Sequence, residues 1–181
     1  MALRSAFAPM IGEHGTVWPY TRGGYPPDTM YLLWRVMVDE QGADKLFYAQ
    51  QGDGAVRGDL VEFTRYFSDE SRQLFICQAP DAGPVMGFVW LDDIAPAHRA
   101  AINVFFRRAH WGHAAREMAS LVIRYGFEVL HLHAVWAFTP WPLAVRMGDA
   151  LGFERIAVLP DFIRVDGESH AVTIMRKTRD G

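Results

Sequence analysis

The residues best suited to chemistry stand together at Arg107-Arg108-Ala109-His110-Trp111-Gly112-His113-Ala114. Before them, Ile102 to Phe106 is a short run of β-branched and aromatic residues that suits a strand. After them, Ala115, Met118, Ala119, Val122 and Ile123 recur at helical steps of three and four. The stretch therefore reads as strand, tight turn, helix, with arginines and a glycine at the joint. A helix N-terminus offers unpaired N–H groups and the positive end of a dipole, so such a joint can hold an anion, most often a phosphate. The plainer reading is an ordinary corner carrying a solvated arginine pair.

The order of these residues resembles the acyl-CoA pyrophosphate loop of the GNAT superfamily of N-acyltransferases, Gln/Arg-x-x-Gly-x-Gly/Ala. Gly112 and Ala114 match the last two marked positions, while Ala109 occupies the place of the Gln or Arg, with Arg108 one residue away. Trp111 before the glycine is similar to the ribosomal-protein N-terminal acetyltransferase branch. A second segment, Met147 to Glu154 (MGDALGFE), resembles the helix end that recurs in the family. The resemblance runs from about residue 70 to the end; the first 70 residues carry none that is usable.

The resemblance implies acetyl-CoA as co-substrate. Backbone amides of Arg108, Ala109, His110, Trp111, Gly112, His113 and Ala114 would meet its pyrophosphate, with Arg107 or Arg108 adding charge. The strand edge at Val104, Phe105 and Phe106 would bond the pantetheine arm. An amide near Val104 would polarise the thioester carbonyl, where the family's strands splay. Two customary residues differ: Trp141 stands where a helix-starting Asn contacts CoA, and Gly148 where a Tyr serves the leaving thiolate.

Acyl transfer also needs a base, because an amine is protonated near neutral pH. Counting back from the loop without gaps places the family's strand-start Glu at His98, and histidine is a residue type that can serve as a base near neutral pH. Asp93, or its neighbour Asp92, could substitute; a plain surface histidine is the bland alternative. His131 and His133 share a face if Val129 to Phe138 is one strand. They could line an acceptor cleft, but two histidines do not make a metal site, and no metal is expected.

The chain has 181 residues and half of it is apolar, which suits one domain, 1–181, with a sizeable core. A net charge of -3 argues against a nucleic-acid-binding face. The single cysteine, Cys77, reads as a core residue and permits no internal disulfide, which fits a reducing, cytoplasmic setting. No run is apolar enough to span a bilayer, and the N-terminus lacks a signal-peptide core. A homodimer is compatible with the sequence, which says nothing further on assembly.

In chain order, residues 1–28 read as an irregular arm with one short strand. Asp28 is the expected N-cap of a helix over Met30 to Val38, and Leu46 to Tyr48 suggest another helical piece. QGDGAVRGD at 51–59 reads as a flexible connection, with Asp59 capping a helix that carries Leu60, Phe63 and Phe67. Leu74 to Gln78 and Val85 to Leu91 form a hairpin, and Arg99 to Arg107 is a third strand. The helix from Gly112 is expected to end near Gly126. The next strand follows it in a right-handed βαβ unit. A helix opened by Thr139-Pro140-Trp141-Pro142 and stopped by Gly152 precedes Phe153 to Val165 and Ala171 to Arg176, joined at Asp166-Gly167.

The expected fold is α+β: a GNAT-like central mixed, mostly antiparallel twisted sheet with one parallel splayed pair, flanked by helices. The expected function is an acetyl-CoA-dependent N-acetyltransferase acting by direct attack of a primary amine of a small molecule or a protein N-terminus. The alternative is an inactive acyl-CoA-binding or protein-interaction module on the same fold.

Overall fold

The computed structural model describes residues 8–21, 24–26, 28–40, 59–165 and 168–180. The expected pieces at 46–48, 51–58 and the Asp166-Gly167 turn lie outside them. Among the described residues, eight strands form one sheet in the order β1-β2-β3-β4-β5-β6-β8-β7. β1 (Met10–Ile11) and β2 (Thr16–Pro19) form a small hairpin, so the arm holds two strands, not one. β3 (Gln73–Gln78), β4 (Val85–Ala95) and β5 (Arg99–Phe106) follow as an antiparallel meander. β6 (Ala134–Thr139) lies parallel to β5, and the β7 (Glu154–Val165) and β8 (Glu168–Thr178) hairpin completes the sheet.

Four helices flank the sheet among the described residues: α1 (Thr29–Asp39), α2 (Leu60–Tyr66), α3 (His113–Glu128) and α4 (Pro142–Ala150). Period-two alternation in the strands sends side chains to two cores. Phe75, Cys77, Val89, Leu91 and Ile102 pack on α3 through Met118, Val122 and Ile123. Leu74, Ile76, Phe88, Trp90 and Phe105 pack on α1 and α2 through Leu33, Met37 and Phe63. Cys77 is fully buried, and burial pushes its thiol well up, as a core reading requires.

Asp59 caps α2 as expected, its carboxylate accepting from the amides of Val61 at 2.6 Å and Glu62. Asp28 stands at the start of α1 but makes no side-chain cap bond. Gly126 does not end α3. It is buried inside the helix, where a Cβ would meet the side chain of Leu132 at 3.1 Å. The helix runs on to Glu128, and β6 starts only at Ala134. Residues 129–133 cross under the helix end, with His131 at φ 54°. His131 and His133 therefore share no strand face, and both are exposed.

A polar group sits at the edge of the α1–α2 core. The Tyr66 hydroxyl donates to Asp92 Oδ2 at 2.6 Å, and Arg72 Nε lies 2.9 Å from Asp92 Oδ1 with its guanidinium over the Tyr66 ring. Burial, then the bond to Asp92 and its charge, push the Tyr66 hydroxyl up to about 12. A raised acid pKa favours the folded state below the unfolded value near 10 and loses that contribution as pH climbs toward 12. The urea midpoint of the native chain should therefore fall across that window, and Tyr66→Phe should flatten the fall.

Candidate active site

The site forms where β5 and β6 part. The two strands pair only at Arg99↔Ala134, Ala100↔Val135 and Ala101↔Trp136. Beyond Ala101, β5 stays on β4 up to Gly87↔Phe106, while β6 stays on β8 up to Thr139↔Thr173. Each strand is thus held on its outer side and left open on its inner side. The His98 carbonyl takes amides from His133 at 2.9 Å and Ala134 at 3.1 Å, so even-numbered residues of β5 aim their backbone groups at β6. Val104 and Phe106 then present N–H and C=O into the gap with no strand opposite them.

The loop closes the open end of this gap. Arg107 N donates back to Met86 O at 2.9 Å, and Arg108–His110 form one 3₁₀ turn. The Trp111 indole donates to Phe106 O at 2.8 Å, which ties the turn to the last residue of β5. Gly112 has φ 94° and ψ -122°, a conformation that costs an L-residue roughly 1–3 kcal/mol. It is the N-cap of α3, a helix of 16 residues. Among the described residues nothing accepts from the amides of Gly112, His113, Ala114 or Ala115. A Cβ on Gly112 would meet nothing within 4 Å, so the space beside the N-cap is open. Arg107 Nε is buried and finds no acceptor. Free amides, an orphaned guanidinium nitrogen and a positive dipole end are what a diphosphate requires.

The loop residues expected from sequence, Arg107 to Ala114, lie beside the edge of Val104, Phe105 and Phe106. The amides of Arg108, His110 and Trp111 already donate to Glu40 Oε2, Arg107 O and Arg108 O, which leaves those of Ala109, Gly112, His113 and Ala114 from the expected set. Phe105 itself turns into the α1–α2 core. Trp141 is the N-cap of α4, with its amide donating to Thr139 Oγ1 at 3.1 Å and its ring 5.9 Å from that of His170.

His98 and Asp93 are not brought to this place. His98 is exposed on the β4–β5 turn, at the closed end of the gap. Six residues of extended strand, about 20 Å, separate it from Val104. Asp93 sits on the irregular stretch between Asp92 and Ala95 with φ 51°, points into solvent, and lies 3.8 Å from Arg99. The irregularity decides the matter: Asp92, one residue earlier, stays in register opposite Ala101 and faces the same side of the sheet as Asn103. Asn103 was missed by sequence. It is half-buried among the apolar residues of β5 and makes no side-chain hydrogen bond among the described residues. Its place in AINVFF was the available signal.

A family model described as Acetyltransferase (GNAT) domain matches residues 25–141. The chain belongs to the GNAT acetyltransferase family. The match begins well before residue 70, so the family likeness includes α1 and α2, which the sequence motifs did not reach. Among curated proteins no sequence match was found. The spermidine N-acetyltransferase from Vibrio cholerae, solved with CoA and spermine, superposes with a TM-score of 0.74 at 18% identity, covering 93% of this chain and 98% of that one. The ribosomal-protein-S5-alanine acetyltransferase from Vibrio fischeri superposes equally, at 0.74 and 14% identity, covering 96% and 98%. These likenesses show the GNAT fold over nearly the whole chain. The family and the open loop together make acetyl-CoA the co-substrate. No helix among the described residues is long and apolar enough to cross a membrane.

The place of the family's tyrosine has a clear physical limit in this GNAT domain. Gly148 is buried in α4, and a Cβ there would lie 2.7 Å from Met175 Sδ. A side chain at 148 would point into the core and not into the β5–β6 gap. Gly148→Tyr should therefore lower stability by about 1–3 kcal/mol through overpacking, measured by urea unfolding, and should not raise turnover.

Proposed function

We propose that this protein is an acetyl-CoA-dependent N-acetyltransferase whose acceptor, a primary amine, attacks directly. One observation carries the reading: the parted edge of β5 and the open first turn of α3 meet at the same corner of the sheet. Acetyl-CoA, when bound, supplies an activated acyl thioester. The chain does the rest. The amides of Gly112, His113 and Ala114, with Arg107, hold the diphosphate. The free backbone groups of Val104 and the Phe106 N–H align the pantetheine arm; the Phe106 carbonyl is taken by Trp111. The Val104 N–H donates to the acyl carbonyl oxygen; one such donor is worth on the order of 100- to 1000-fold in rate.

The face of the gap toward α3 is filled by Val104, Val145 and the helix itself. The amine approaches from the other face, past Asn103 and the stacked pair Trp136 and Phe138, whose rings are 6.3 Å apart. It must be neutral to attack. A carboxylate on that face is Asp92, opposite Ala101 and held by Tyr66 and Arg72. His98 and Asp93 are too far for direct proton transfer, so this reading gives them no direct part. The two structural neighbours are named for spermidine and for a ribosomal protein's alanine, and small amines and protein N-termini are the two acceptor classes we propose.

A second reading, an acyl-CoA-binding module without transfer, draws on Gly148 and Trp141 standing at the positions of customary functional residues. Two measurements separate them. Calorimetry with acetyl-CoA should show binding, and Gly112→Ala should weaken it by at least about tenfold with the fold intact, because φ 94° must change. No binding at millimolar ligand contradicts both readings. Thiol release should then appear with spermine or with an alanine-initiated peptide. Val104→Pro removes the proposed donor without removing a bond to β4; it should cut that release by on the order of 100-fold, well beyond any weakening of binding. Binding without release for either acceptor favours the second reading.

A further inference from the structure

Just beyond the loop, the first two turns of α3 form one wall of a cleft of about 350 Å³. Its floor is the end of α4, at Ala150 and Leu151, and its far side is the β1–β2 turn. Three basic side chains face it: His14, His113 and Arg116. Arg116 has no acidic partner among the described residues. Its Nη2 lies 3.0 Å from His113 Nδ1. The same nitrogen lies 3.5 Å from His113 Nε2, so the guanidinium sits against the imidazole edge. The rings of His14 and His113 stack, 6.3 Å apart at 18°.

The one carboxylate in the cleft is already taken. Glu117 accepts from Glu13 N at 2.7 Å, His14 N at 2.8 Å and His14 Nδ1 at 2.9 Å. Burial acts to raise its pKa, but those three donors win and hold it below the ordinary range. Gly12 makes room for this clamp, since a Cβ there would lie 2.7 Å from the Glu117 carboxyl carbon. The clamp fixes the β1–β2 turn on α3 and presents the His14 ring to the cleft. The result is a concave surface with a surplus of donors and positive charge, starting one residue after Gly112.

Resting on the reading that the Gly112 loop holds the diphosphate, we infer that this cleft holds the phosphomonoester on the 3′ oxygen of the CoA ribose. That group lies one ribose away from the diphosphate and carries close to two negative charges. Arg116 is its main donor, because a guanidinium fork matches a phosphate, and the His113 imidazole is the second. His14 completes the rim. The cleft thereby makes the protein select CoA over its dephosphorylated form, a discrimination the loop amides alone do not provide.

Calorimetry on the full chain with CoA and with 3′-dephospho-CoA tests this. The native chain should bind CoA at least about tenfold tighter. Arg116→Gln should erase most of that preference by weakening CoA alone, leaving dephospho-CoA within about twofold, and Arg116→Lys should restore part of it. His113→Asn, an exposed position, should act in the same direction, with thermal melting as the check that each variant folds. Equal binding of the two ligands by the native chain overturns the inference and leaves the loop reading standing. An equal loss for both ligands in Arg116→Gln also overturns it, because the arginine then serves the structure and not the phosphate. Binding of neither ligand overturns the loop reading and the inference with it.

Discussion

A parallel pair of strands that pairs for three residues and then parts is the constraint from which this site follows. Backbone N–H and C=O groups are obligatory hydrogen-bonding groups, and an open edge must be met by water or by a ligand. Here the opening cannot close on itself. β5 is bound to β4 along its length, β6 is bound to β8 along its own, and each partner pulls its strand to a different side. Chain parity then decides which groups are offered: Val104 and Phe106 face the gap, while Asn103 and Phe105 face β4 with their backbone. Trp111 fastens the loop to the end of β5, so its hydrogen bond, those of the 3₁₀ turn and a glycine set the helix amides relative to the strand edge.

The rest of the molecule keeps that corner in place. One core joins α3 to the sheet from β2 to β8, and a second joins α1 and α2 to the opposite face. The N-terminal hairpin is more than an edge. Through Glu117 it is clamped to α3 one turn from the loop, so that helix is braced by the segment whose composition looked least regular.

Sequence made the corner legible because its signals are local. An apolar β-branched run, a glycine at the joint and a helical repeat each act over a few residues, and all three are where they were expected. Asp59 and Gly152 behaved as a cap and a stop for the same reason; Gly152 has φ 79°. What sequence hid depends on contacts made far along the chain. Leu130 and Leu132 alternate with histidines as a strand would, yet Leu132 is buried under Gly126 and the chain turns at His131. Gly126 looks like a helix stop but is small because Leu132 lies against it. The choice between Asp92 and Asp93 turns on an irregular ladder that no spacing rule reveals, and the partner of Asp92, Tyr66, is 26 residues away. Counting back to His98 assumed an unbroken correspondence with the family's strand, whereas the histidine sits on the turn before it.

The most direct test of the central claim is a two-dimensional amide NMR titration of the native chain with CoA. The account predicts that the largest shifts fall on Val104 and Phe106 at the parted edge and on Gly112, His113 and Ala114 at the start of α3. Shifts confined to other parts of the chain, with those five amides unmoved at saturation, would contradict it.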